Sequence, residues 1–135
     1  MDIKGDSLRR WLTALVLIHV AVSIIHGAAH TGAHVALSSA QSLFVLTVIL
    51  IGPLLGLGLM WPARQLGSWI IAGTMAGSFV FGLANHFLIA GDDHVLHVDV
   101  QWRVLFATSA IVLAGIELLG CGFAMADVRE RWNRS

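Results

Sequence analysis

Charged residues are scarce in this sequence. They make up 12% of the 135 residues, whereas hydrophobic residues make up 57%, and the mean hydropathy is +0.82. A typical soluble domain carries about 25% charged residues, so this composition excludes an ordinary soluble protein and favours an integral membrane protein. The eight basic and eight acidic residues balance, so nothing in the net charge points to nucleic acid as a partner.

Cysteine and tyrosine are scarce as well. Cys121 is the only cysteine, which excludes an intramolecular disulfide and leaves the redox compartment undetermined. The lack of tyrosine excludes tyrosyl-radical chemistry. No linker, low-complexity stretch or internal repeat divides the chain, so we expect residues 1–135 to form a single domain.

Long apolar runs, in contrast, are abundant. Four of them cover roughly residues 11–37, 43–61, 66–90 and 104–126, with short connections between them. A helix crosses a bilayer with about 20 predominantly apolar residues. The sequence therefore predicts an all-α integral membrane protein, an antiparallel bundle of four transmembrane helices.

The basic residues predict the orientation of these four spans. In a four-span arrangement seven of the eight fall on one side, and only Arg103 falls on the other: the seven are Lys4, Arg9, Arg10, Arg64, Arg129, Arg131 and Arg134. Basic residues concentrate on the cytoplasmic side of membrane proteins. We therefore expect a bacterial-type inner-membrane protein with both termini in the cytoplasm and the acidic loop 91–103 facing outward.

The stretch HGAAHTGAH, residues 26–34, concentrates histidines within the first apolar run. At about 100° per residue, these histidines and one further upstream fall within an arc of about 80° on a helix. The four are His19, His26, His30 and His34. A polar stripe on a membrane helix faces other helices rather than lipid, so we expect this face to point into the bundle.

Counting helical rise from the cytoplasmic boundary pairs these histidines with residues of other spans. With a rise of about 1.5 Å per residue, His19 is level with Glu117 near mid-membrane, and His30 is level with His86 near the outer surface. An ionisable pair at mid-membrane predicts a proton relay of His19 and Glu117.

The outer cluster predicts a metal site. Imidazole is a ligand for Zn, Cu and Fe, and carboxylates complete many such sites. The expected ligands are His26, His30, His34, His86, His94, His97 and Asp93. The set HxxxHxxxH, NH and DDHxxH resembles the histidine boxes of membrane di-iron hydroxylases and desaturases. Those boxes usually include adjacent histidines and belong to longer chains, so their activity is not carried over.

Three alternatives stay open at the level of sequence. A b-type haem would take His30 and His86 as axial ligands, with Arg103 meeting the propionates. The histidines could instead bond only to neighbours, in an accessory subunit of a larger membrane complex. A transport or proton-relay protein without a cofactor would favour a homodimer. The sequence identifies no substrate or reaction and does not decide whether the protein is an enzyme.

Overall fold

In the computed structural model of the protein, residues 3–133 are described and form four long helices. Helix α1 covers Ile3–Gly32, α2 covers Ser39–Leu59, α3 covers Arg64–Leu88 and α4 covers Val100–Trp132. All four are long and apolar enough to cross a membrane, which confirms the prediction of an all-helical chain with four such helices. Of the basic residues used to predict orientation, Arg134 lies outside the described residues.

Helix α1 ends earlier than the apolar pattern predicts. The pattern continues to residue 37, but the helix stops at Gly32 and His34 adopts a left-handed backbone conformation with φ 55°. The amide of Val35 donates to the carbonyl of His30 at 3.0 Å, and the amide of His34 donates to the carbonyl of Thr31 at 3.2 Å. These two bonds form a Schellman motif, which satisfies the last carbonyl groups of the helix.

Helices α2 and α3 each contain a π-helical segment. In such a segment each amide donates to the carbonyl group five residues earlier, instead of four. In α2 this segment, Val45–Ile51, directly precedes Pro53. A proline lacks an amide hydrogen and its ring clashes with the carbonyl four residues earlier, so the preceding turn widens. In α3 the π-helical segment is Ala84–Leu88 at the end of the helix, and it contains His86.

Helix α4 is the central element of the packing. It contacts both α1 and α3 extensively, whereas α2 packs mainly on α3. At the α2–α3 crossing the backbones come close together: a Cβ atom added to Gly67 would lie 2.6 Å from the carbonyl oxygen of Gly56. Within the described residues, the backbones of α1 and α3 stay apart, which leaves space between them beside α4 for side chains to meet.

Two apolar clusters hold opposite ends of the helices together. The cluster nearer the chain termini contains Leu12, Val16, Leu57, Met60, Ile71, Ala72, Met75 and Ala124. The second, smaller cluster contains Ala29, Val98 and Phe106. Many large apolar side chains point away from both clusters and are exposed, among them Ile24 at 65% and Val104 at 73%. Such an apolar surface on every helix suits a protein surrounded by lipid.

Candidate metal centre

Three histidine rings meet beside the smaller apolar cluster. His26 and His30 come from α1 and His86 comes from α3, and all three side chains are buried. The Nε2 atom of His26 lies 3.1 Å from Nε2 of His86 and 3.2 Å from Nε2 of His30. The ligand atoms of the three histidines all lie within 4.8 Å of one another. This cluster, His26, His30 and His86, is called the histidine triad below.

Local helix geometry brings the three rings together. His26 and His30 are four residues apart, so they lie one above the other on the same face of α1. His86 lies in the π-helical segment, whose amide at Ile89 donates back five residues to Ala84 at 2.8 Å. Such π-helical turns inside α-helices often occur at functional sites because the extra residue redirects the side chains.

The outer nitrogens of two of the rings have hydrogen-bond partners of their own. Nδ1 of His26 lies 2.8 Å from the hydroxyl of Ser109, which can accept from it while donating to the carbonyl of Leu105 at 2.6 Å. Nδ1–H of His86 donates to the backbone carbonyl of Asp93 at 3.2 Å. A neutral imidazole has one N–H. With the proton of each ring on Nδ1, the tautomer that a shared metal ion requires, the Nε2 lone pairs of His26 and His86 would face each other.

Asp93 places a carboxylate beside this pair of rings. Its Oδ1 atom lies 3.1 Å from Nδ1 of His86 and 3.5 Å from Nε2 of His30, and its side chain is buried. Among the described residues, neither of its carboxylate oxygens has a hydrogen-bond partner of good geometry. Because the carboxylate lies at the Nδ1 edge of His86, it is placed to orient that ring rather than to share its Nε2 side.

Two of the three separations in the triad match those around a bound metal ion. In a four-coordinate ion with metal–nitrogen bonds of about 2.05 Å, neighbouring ligand atoms lie about 3.3 Å apart. The two contacts of His26, at 3.1 and 3.2 Å, are close to that separation. The ligand atoms of all three histidines lie within 4.8 Å of one another, close enough to bind a metal ion.

The same distances argue against the haem alternative. A haem with axial His30 and His86 needs its porphyrin plane between the two rings. In the structure the ring of His26 occupies the space between them, since its Nε2 atom contacts both. Arg103, the expected partner of the propionates, instead donates to backbone carbonyl groups of the loop that precedes α4.

The structure places the other predicted histidine ligands away from the triad. His34 lies beyond the end of α1 and is exposed. Nε2–H of His94 donates to the carbonyl of Phe87 at 3.3 Å, and Nδ1–H of His97 donates to the carbonyl of Gly91 at 2.7 Å. In these positions His94 and His97 hold the loop in place above the triad.

The second predicted pair, His19 and Glu117, is in direct contact. Nε2 of His19 lies 3.1 Å from Oε1 of Glu117, and both side chains are buried. Among the described residues, Nδ1 of His19 has no hydrogen-bond partner. The pair lies between the triad and the larger apolar cluster, so an imidazole and a carboxyl group capable of exchanging a proton lie deep inside the helices.

A cavity of about 300 Å³ extends from the triad to Glu117. The three histidines line its outer part together with Thr31, Val35 and Leu37, and Glu117 and Ser23 line the opposite end. It occupies the space between the backbones of α1 and α3. Sequence reasoning did not predict this cavity, because it depends on which helix backbones stay apart.

Sequence reasoning also missed two residues of the centre. The ring of Phe106, fully buried, lies under all three imidazoles with centroid distances of 4.8 to 5.0 Å. The hydroxyl of Ser109 lies 2.8 Å from Nδ1 of His26 and orients that ring. Ser109 could have been found from the sequence, because it is a polar residue within an apolar stretch of α4. Nothing in the sequence separates Phe106 from the other apolar residues.

No protein-family model, no curated protein and no solved structure matches this chain.

Proposed function

We propose that the protein is a membrane-embedded metal-binding protein whose histidine triad holds a single transition-metal ion, Zn, Cu or Fe. The observation that carries the proposal is the convergence of three buried imidazoles, with Nε2 of His26 3.1 Å from Nε2 of His86 and 3.2 Å from Nε2 of His30. With the protons of His26 and His86 on Nδ1, both Nε2 lone pairs would be free to bind one cation. Their partners on the Nδ1 side, Ser109 and Asp93, are the kind of hydrogen-bond acceptors that orient metal-bound histidines.

The ion would lie near the outward face of an inner membrane. The helices would then form an antiparallel bundle, with both termini in the cytoplasm. Support for this orientation comes from the basic residues: Arg9 and Arg10 lie near the start of α1, and Arg129 and Arg131 lie in the last turns of α4. The triad lies toward the other end of α1. By the positive-inside rule, the basic end is cytoplasmic.

A second role, proton exchange, is favoured by one specific contact. His19 and Glu117 lie 3.1 Å apart, and Glu117 lines the cavity that reaches the triad. An ionisable pair at this depth is costly to bury, and in membrane proteins such groups mark proton pathways. We propose that this pair takes up or releases the proton that accompanies chemistry or ligand exchange at the metal ion.

Metal content of the purified protein tests the proposal. The protein is purified without added metal or chelator, and metal is measured by mass spectrometry for the wild type, His26→Asn and His86→Asn. We expect about one transition-metal ion per chain in the wild type and less than a tenth of that in both variants, because a three-ligand site that loses one ligand binds weakly. Asparagine keeps a polar group at each buried position, which limits the effect on folding.

The matched control is His34→Asn. This residue lies on the same helix end but outside the triad, and asparagine tolerates its positive φ. Its metal content should equal that of the wild type. A wild-type protein that binds no transition metal even on titration, or an equal loss in the control, contradicts the proposal.

A further inference from the structure

The cavity beside the histidine triad has the size of a small-molecule site. Its volume of about 300 Å³ lies at the lower end of the range typical of ligand pockets. Along α1 it runs from His26 down toward the level of His19, seven residues away, which corresponds to about 10 Å. Apolar side chains line the wall between the two ends, among them Val45, Ile49, Phe79, Phe81, Leu113 and Ala114.

The cavity reaches the surface on an apolar flank. Gly27, Thr31 and Leu83 line it and are also exposed. The neighbouring surface carries Ile24, 65% exposed, and Val80, 63% exposed. In a membrane this flank faces lipid, so a molecule would enter the cavity sideways from the hydrocarbon region rather than from water.

The metal-binding end of the cavity has an open coordination position. Three imidazoles supply three ligands, and zinc sites with three protein ligands take an external molecule as the fourth. Asp93 lies at the Nδ1 edge of His86 and 3.5 Å from Nε2 of His30, but it is not among the residues that line the cavity. All three histidines line the cavity, so the molecule that completes the coordination would come from there.

We propose that the cavity binds a lipid-soluble amphiphile, a molecule with one metal-coordinating head group and an apolar body. The head group takes the fourth position on the ion of the histidine triad, and the apolar body lies against the wall between the triad and Glu117. The proposal rests on the proposed metal site and adds the chemical class of its ligand. The polar far end, formed by Glu117 and Ser23, limits the length of the apolar body.

A homologous series of alkyl hydroxamates tests this proposal on the cobalt-loaded protein in detergent. Hydroxamate coordinates the ion, and the visible absorption bands of Co²⁺ report each coordination event. Affinity should rise by up to about fourfold per added methylene while the chain stays within the apolar wall. It should stop rising once the chain reaches Glu117. Partition into detergent micelles, in contrast, continues to rise with chain length.

The variant Gly27→Leu places a side chain in the cavity. A Cβ atom at Gly27 meets nothing within 4 Å, so leucine fits the backbone, and leucine favours helix over glycine. We expect at least a tenfold loss of affinity for octanohydroxamate, with unchanged cobalt content and unchanged affinity for acetohydroxamate. The matched control is Gly73→Leu, an exposed glycine of α3 that is equally open and does not line the cavity. Its affinities should equal those of the wild type.

The possible outcomes separate the two proposals. Cobalt bound by the triad without a spectral response to any hydroxamate overturns the ligand proposal and leaves the metal site intact. Equal affinities for acetohydroxamate and octanohydroxamate, or an unchanged octanohydroxamate affinity in Gly27→Leu, overturn it as well. A wild-type protein that binds no cobalt overturns both proposals.

Discussion

At the scale of single residues, hydrogen bonds orient two of the three imidazoles of the triad. Nδ1 of His26 contacts the hydroxyl of Ser109, and Nδ1–H of His86 donates to the carbonyl of Asp93, so both Nε2 atoms point inward. Nδ1 of His30 has no hydrogen-bond partner among the described residues, and its ring packs on Phe106. The rings of His26 and His86 are thus oriented by their neighbours before any ion binds, which lowers the cost of binding.

The carboxylate of Asp93 is expected to strengthen metal binding without being a ligand. Asp93→Asn removes the negative charge beside His86 and keeps the backbone carbonyl that accepts from its Nδ1–H. Loss of such an outer partner typically weakens metal affinity by about 10-fold to 100-fold. A competition titration against a coloured chelator measures the change. Asp92→Asn, at the exposed neighbouring position, should leave the affinity unchanged; similar losses in both variants would show a general charge effect of the loop.

At the scale of elements, two departures from regular α-helix shape the site. The Schellman motif ends α1 at Gly32, so His34 leaves the stripe of histidines that the periodicity predicts. The π-helical segment Ala84–Leu88 lets α3 present His86 to α1 just before the chain enters the loop. Both departures occur within about one helical turn of a triad member, so the helix ends decide which histidines take part.

The close crossing of α2 and α3 is expected to limit stability. In Gly67→Ala the added methyl would lie 2.6 Å from the carbonyl oxygen of Gly56 and 2.8 Å from the amide nitrogen of Met60, so the two backbones must separate. Overpacking of this kind costs about 1–3 kcal/mol. Thermal unfolding in detergent should show a Tm lower by several degrees. Gly58→Ala, where the methyl meets nothing within 4 Å, should not lower it; a similar decrease in both variants would mean that the crossing is not tight.

At the scale of the whole molecule, the two ends carry different chemistry. At one end, the buried carboxylate of Asp127 pairs with Arg64 and accepts from the hydroxyl of Ser68, which joins α3 to α4. The other end carries the histidine triad and the acidic loop. There the hydrogen bonds described for Arg103 all go to backbone carbonyl oxygens of the loop. Between the ends the outer surface is apolar, and this asymmetry is what a fixed membrane orientation requires.

Reporter fusions test this orientation. A reporter fused after the last residue should be active only as a cytoplasmic reporter, and one inserted at Gly91 only as an external reporter, because seven of the eight basic residues fall on the side of the termini in the four-span arrangement that the sequence predicts. An external signal from the C-terminal fusion would reverse the orientation and move the triad to the cytoplasmic side. A fusion at Ala63, in the connection between α2 and α3, serves as the control and should match the C-terminal one.

The sequence by itself determined the features that depend on local periodicity and length. Four apolar runs of membrane-spanning length predict the four helices. In lipid no water is available to bond the backbone, so its N–H and C=O groups must bond to each other, as they do within a helix. Regular helical rise put His19 level with Glu117 and His30 level with His86. In the structure His19 and Glu117 are in contact at 3.1 Å, and the ring centroids of His30 and His86 lie 5.5 Å apart. The spacing of four residues put His26 and His30 on one face, which needs no knowledge of the other helices.

Only the tertiary structure decided which of the six outer histidines converge. That choice depends on where α1 stops, on the π-helical turn at His86 and on how the loop folds, since His94 and His97 bond to backbone carbonyls there. None of these follows from side-chain periodicity, because each is a change in the backbone path, held by hydrogen bonds between residues three to seven apart. The cavity depends on the packing of whole helices: it exists because α1 and α3 each pack on α4 while their own backbones stay apart.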